Sequence, residues 1–201
     1  MPAIDRDSFD GTKLQSELTT DCSFTPQRTQ ISLVARATDG FVVATGHDDG
    51  QTPFDDAAIS AIFVTFAEVV ADYPNADAST LRTAVNAALA GLWTAAGGTA
   101  PSPFDQTIDQ PTRMIFNVHI PGWGFEAARI KFKSDLPAEE FCGLDWLTLN
   151  GASQQPWSFE IQAQATVKAQ YEFALFISAS QDAGNQSTRV IIDPVIEVTP
   201  P

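Results

Sequence analysis

The chain has 201 residues, 44% of them hydrophobic and 10% aromatic, with 25 acidic against 11 basic side chains and a formal net charge of −14. That is enough apolar material for one sizeable core and too much for a disordered chain. The acidic excess repels phosphate backbones and anionic headgroups, so neither nucleic acid nor a membrane surface is an expected partner; its plain meaning is solubility.

The first residues, MPAIDRDSFDGTKLQ, carry no basic start followed by an apolar run, and no stretch reaches about 18 apolar residues. The expectation is a soluble, cytoplasmic chain, with release independent of a signal peptide left open. Cys22 and Cys142 sit in DCSF and EFCGLDW and show no metal-ligand spacing. A disulfide tying an N-terminal arm to the body and two buried thiols are equal alternatives.

Residues 1–29 are polar and mixed, and read as an arm. ISLVARATDGFVVAT (31–45) reads as a hairpin. Ile31, Leu33 and Ala35 alternate on one side, and Asp39-Gly40 is the turn signal. HDDGQTPFDD (47–56) then leads into a helix, with Thr52 as N-cap, Pro53 in the first helical position and Asp55 in the third. Ile59, Ile62, Phe63, Phe66, Val69 and Val70 recur at helical spacing until Tyr73-Pro74-Asn75. A second helix is capped by Asp77 or Ser79, carries Leu81, Val85, Ala88, Leu89 and Leu92, and ends at Gly97-Gly98. Together they form an αα-hairpin near residues 53–97.

TAPSPFDQTIDQPT (99–112) reads as a long loop. RMIFNVHI alternates through Met114, Phe116, Val118 and Ile120, PGWG (121–124) turns, and FEAARIKFK alternates again. A short strand in DWLTLNGASQQPW follows. Residues 158–178, SFEIQAQATVKAQYEFALFIS, then alternate without a Gly or Pro. That is about twice an ordinary strand length. A bent strand shared by two sheets explains it, as do two strands joined near 164–170. QDAGNQ (181–186) turns, and Pro194 interrupts the closing strand. The predicted fold is mainly β (α+β). It is a single domain over 1–201, an antiparallel β-sandwich with the helical hairpin inserted.

Three groups could carry chemistry. His47, Asp48, Asp49 and Asp55, with Asp56 beside them, offer a divalent cation clustered oxygens and an imidazole. The alternative is a solvated turn whose acids complement a helix N-terminus. His119, on a strand between Val118 and Ile120, reads more simply as packing. Trp123, Trp146 and Trp157 sit near turns, where indoles stack on sugars or cap a core. Walker, GxGxxG, HExxH, CxxC and GxSxG patterns are missing, and no catalytic residue is assigned.

Two short stretches, ADYPNADAS (71–79) and IIDPVIEV (191–198), resemble inclusion-body proteins of the PixA/AidA type, which implies a β-sandwich. They cover under a tenth of the chain, the helical hairpin departs from that pattern, and no family is assigned from them.

The leading functional expectation is a non-catalytic protein acting by self-association or by binding a ligand or partner. A homo-oligomer is the expected state, and a carbohydrate or another protein the expected partner, because long strands offer pairing edges. The first alternative is a pore-forming protein using 158–178 as a membrane hairpin. The second is a metal-assisted hydrolase built on His47 and its neighbouring aspartates. No cofactor is expected beyond a divalent cation at that cluster.

Overall fold

The computed structural model describes residue 18 and residues 21–96, 105–133, 140–179, 189–192 and 195–200. In chain order the elements are β1 (Arg28–Ala37), β2 (Gly40–His47), α1 (Asp56–Asp72), α2 (Ala78–Leu89), β3 (Thr94–Ala95), β4 (Gln106–Ile108), β5 (Thr112–Val118) and β6 (Trp123–Phe132). Then come β7 (Phe141–Trp146), β8 (Thr148–Leu149), β9 (Ala152–Ser153), β10 (Ser158–Ala163), β11 (Ala169–Ala179), β12 (Arg189–Ile192) and β13 (Val195–Val198).

Among the described residues two larger sheets and a helical hairpin stack into layers, and β8 pairs with β9 in a small third sheet. The first sheet is six-stranded, in the order β3-β2-β1-β5-β10-β7. In the second, β11 is flanked by β6 on one side and by β12 and β13 on the other, with β4 beyond β13. The mainly β fold with an inserted helix pair is as the sequence predicts. It is not wholly antiparallel, because β1 runs parallel to β5 and β4 parallel to β13.

Each face of the first sheet is buried. Ile31, Leu33 and Ala35 pack with Ile59, Ile62 and Phe66 of α1 and Leu81, Val85 and Leu89 of α2. The opposite face contributes Val34, Met114, Phe116, Phe159 and Ile161 to a core shared with Tyr171, Phe173, Leu175 and Ile177 of the second sheet. A buried polar chain also spans the two sheets. Gln30 donates to Gln106 at 2.8 Å, and Gln106 donates to Ser32 at 2.7 Å. Every buried amide there has a partner, which is the condition for tolerating it.

The helix ends differ from expectation. The N-cap of α1 is Asp55, not Thr52, and its carboxylate accepts from Ala58 N at 2.8 Å. Pro53 lies before the helix. Thr52 instead donates its N–H to Asp49. The α2 cap is Asp77, whose carboxylate accepts from Thr80 N at 2.7 Å. That bond holds the Asp77 carboxyl below its usual range. Replacing either cap by Ala is expected to cost about 1 kcal/mol in a urea melt. The second helix stops at Leu89 because the chain must turn for Trp93 to lie on Gly46. A Cβ at Gly46 would come within 2.1 Å of the indole Cδ2. Thr94 and Ala95 then pair with His47 and Gly46. Gly97 and Gly98 lie outside the described residues, as do the 181–186 turn, Pro194, and residues 1–17, 19 and 20 of the arm.

The rest of the arm is short, since β1 begins at Arg28. Cys22 is bonded to Cys142 on the edge strand β7, so the disulfide alternative holds. The 99–112 loop contains β4. Residues 158–178 are two strands in two different sheets, joined through 164–168.

Candidate functional site

The alternating run breaks where its own residues give little warning. Ala165 adopts φ +59°, a left-handed backbone that costs a non-glycine residue about 1–2 kcal/mol. Glu140 holds it there. Its carbonyl accepts from Gln164 N at 2.9 Å, and its carboxylate accepts from Thr166 N at 3.3 Å and Thr166 Oγ1 at 2.7 Å. Glu140 is completely buried, and its second carboxylate oxygen, Oε1, has no partner among the described residues. Val167 is 41% exposed, so the alternation fails in the link and resumes at Tyr171. Both halves are interior strands: β10 lies between β5 and β7, and β11 lies between β6 and the β12–β13 line. Neither offers the free edge that made this run a motive for self-association.

Tyr171 is also buried, and its hydroxyl has no partner among the described residues. Burial, and then the charge of Glu140, push the phenol above its ordinary value. The fold therefore favours neutral Tyr171. This contribution is fully present below about pH 10, the unfolded phenol value, and is lost as pH rises through the folded one. Urea unfolding of Tyr171→Phe is expected to lack part of the wild-type alkaline decline. At neutral pH the variant should match or exceed wild type, because the hydroxyl forgoes hydrogen bonds on burial. A neutral-pH loss above about 1 kcal/mol would show a partner at that oxygen.

Three of the four cation candidates meet in an open cleft of ≈320 Å³. It is lined by His47, Asp48 and Asp49 at one end and by Phe54, Leu92 and Trp93 among its other walls. Their polar atoms are largely engaged. His47 Nδ1 donates to the Asp48 carbonyl. The Asp48 carboxylate accepts from Thr29 N and Gly50 N. Asp49 accepts from Gln51 N at 2.9 Å and Thr52 N at 3.1 Å, and these bonds hold its carboxyl below the usual range. Asp55 caps α1 instead of turning to the others, and Asp56 accepts from Asn150 N. Among the described residues, no three His, Cys, Asp or Glu side chains converge as metal ligands. The motif signal, five candidate ligands in ten residues, is largely absorbed by turn and cap geometry. The cleft's aromatic wall was not legible, because Trp93 lies far along the chain from His47.

His119 is exposed at the end of β5, edge-on to Phe66 at 6.1 Å, and that packing lowers its basicity by desolvation. No hydrogen bond joins it to a hydroxyl or carboxylate among the described residues.

The three tryptophans divide. Trp146 is half-buried beneath the Arg129 guanidinium, 4.6 Å from its ring centre, and Asp145 lies 3.9 Å from the same arginine. Burial lowers the Arg129 pKa, partly offset by Asp145. Trp123 and Trp157 share one end of the sandwich. Phe125 N donates to Pro156 O at 2.8 Å, and Val118 N donates to Trp157 O at 2.9 Å. Gly124 permits this approach, since a Cβ there would meet Pro156 Cγ at 2.6 Å. Trp123 is half-buried, edge-on to Phe41 at 6.4 Å. Trp157 is 51% exposed. The turn is closed by Trp157 N and Ser158 N, which donate to Gln154 O at 2.7 and 3.1 Å.

Among the described residues no helix is long and apolar enough to cross a membrane. No protein-family model matches this chain, and no curated protein sequence matches it.

Proposed function

We propose that this is a non-catalytic binding protein working through its surface, with the Trp123–Trp157 end of the sandwich as its contact region. Trp157 carries the reading: a large aromatic side chain half in water, whose own backbone N–H and carbonyl are both hydrogen-bonded. Exposed Leu or Val singly means little, but an exposed indole has few rotatable bonds to immobilise on contact and recurs at binding hot spots. The ionisable candidates support the same direction, because the His47 cluster is occupied by turn bonds and His119 by packing. Self-association is the other form of this reading, through edges such as β6 or β7 instead of through 158–178. The Cys22–Cys142 bridge adds a condition, since such bridges persist in oxidising surroundings and open in a reducing cytosol.

The test compares wild type with Trp157→Ala by sedimentation velocity over a wide concentration range, and by mass spectrometry of small molecules retained through purification. A Trp157-dependent mass change or retained ligand is expected. A wild-type chain that stays monomeric throughout and retains nothing overturns the reading.

A further inference from the structure

We infer that the ligand of the Trp157 end is a neutral carbohydrate. The inference rests on the binding reading above and names its ligand class.

Charge is the first observation. The two segments that meet at this end are 114–125, MIFNVHIPGWGF, and 146–159, WLTLNGASQQPWSF. Neither contains an Asp, Glu, Lys or Arg, in a chain of net charge −14. A charged ligand would find no partner of opposite sign within them, and the carboxylates that reach them, Asp56 and Asp145, accept from Asn150 N and Trp146 N. The same segments supply hydroxyls and amides instead. Gln155 in the turn before Trp157 and Ser153 of β9 are exposed, as is Asn150 between β8 and β9. Among the described residues, the side-chain amides of Asn150 and Gln155 have no hydrogen-bond partner. Amides both donate and accept, which matches the paired character of a sugar hydroxyl.

Size is the second observation. Among the described residues, the exposed large apolar side chains are Val64, Tyr73, Leu92, Trp157 and Val167. Trp157 is the one of these at this end. A stable protein interface needs about 800 Å² per partner with an apolar centre. One half-exposed indole beside Pro156 falls well short. It does suit the C–H face of a single pyranose ring, with rim hydroxyls turned to neighbouring amides.

The experiment titrates the full, oxidised chain with cellohexaose, chitohexaose, laminarihexaose and maltohexaose, read by tryptophan emission and by calorimetry. At least one hexaose should shift the emission and release heat. Trp157→Ala should weaken that response at least about tenfold, and Trp157→Phe should retain part of it. Val64→Ala, on the helical face, should titrate like wild type. Raising the salt should leave the affinity unchanged, because no ion pair forms. Near-ultraviolet circular dichroism verifies that each variant is folded. The carbohydrate assignment is overturned if none of the four binds, if binding survives Trp157→Ala, or if it fades steeply with salt. A sugar-silent chain that still shows a Trp157-dependent mass change loses this assignment and keeps the binding reading. A chain with neither response loses both.

Discussion

Removing the Cys22–Cys142 bridge is expected to lower the unfolding free energy by about 4 kcal/mol. The bridge joins residues 120 positions apart, so it closes a very long loop in the unfolded chain. In the chain-entropy account a loop of about 100 residues is worth about 4.7 kcal/mol, and native bridges measure about 2–5. The folded state adds a local reason. Cys142 lies on β7, the edge of the six-stranded sheet, and Leu18 from the N-terminal side packs on the sandwich core. Without the staple, β7 and residues 21–27 should open before the centre of the sheet. Urea melts of the Cys22→Ala, Cys142→Ala double variant should show the loss, near about 8–16 °C in a thermal scan. Wild type treated with reductant should superimpose on that variant. Amide exchange should accelerate first in β7. An unchanged urea midpoint would mean that the bridge contributes nothing and the edge is held by strand pairing alone.

The β-strands and both helices were legible because their signals are local. Ile31, Leu33 and Ala35 alternate, and Leu81, Val85 and Leu89 repeat at helical spacing, whatever the rest of the chain does. Signals that compete locally were harder to rank. Thr52-Pro53 and Asp55 both read as a helix start, and Asp55 prevails because Asp49 already takes the Thr52 N–H. Features set by distant residues were not legible. The length of 158–178 allows a join near 164–170, but nothing in the run singles out Ala165, because the groups that hold the break there belong to Glu140. Nothing near Gly97 says that α2 has ended at Leu89, because the reason is Trp93 docking on Gly46 of another strand.

The candidate site divides along the same line. Histidine and aspartate clustering in HDDGQTPFDD is visible in sequence, but Asx turns and caps use the same residues, and only the folded chain decides where each oxygen goes. Tryptophans near turns are equally visible. That Trp157 stays half-exposed while Trp146 lies under Arg129 depends on the pairing of β7 with β10 and of β6 with β11. Disulfide pairing was left open for a related reason. Two cysteines 120 residues apart carry no information about each other until the sheet edge brings them to a Cα separation of 5.5 Å.

Phe159→Ala should be as damaging as loss of the disulfide, at about 3–5 kcal/mol. Its side chain is completely buried. Its ring stacks on Phe116 at 4.9 Å and meets Phe125 edge-on at 4.8 Å. Phe125 belongs to the second sheet, so this one ring from β10 fastens the two sheets together. Truncation removes the buried area, leaves a cavity and breaks two aromatic contacts, each worth about 0.5–1.5 kcal/mol beyond area. Phe173 of β11 meets the other side of the same cluster, edge-on to Phe116 at 6.2 Å. The two halves of the alternating run therefore fold back until their inward faces meet around Phe116. That geometry makes a sharper demand than either single loss. Phe159→Ala and Phe173→Ala should be non-additive by about 0.5–3 kcal/mol, because they share a neighbour and a cavity. Phe159→Ala and Val167→Ala should add, since exposed Val167 lies in the link and its own change should stay within about 0.5 kcal/mol. Additivity of the two phenylalanine losses in urea melts would mean that β10 and β11 do not share a core. The two-sheet assignment of residues 158–178 would then fail.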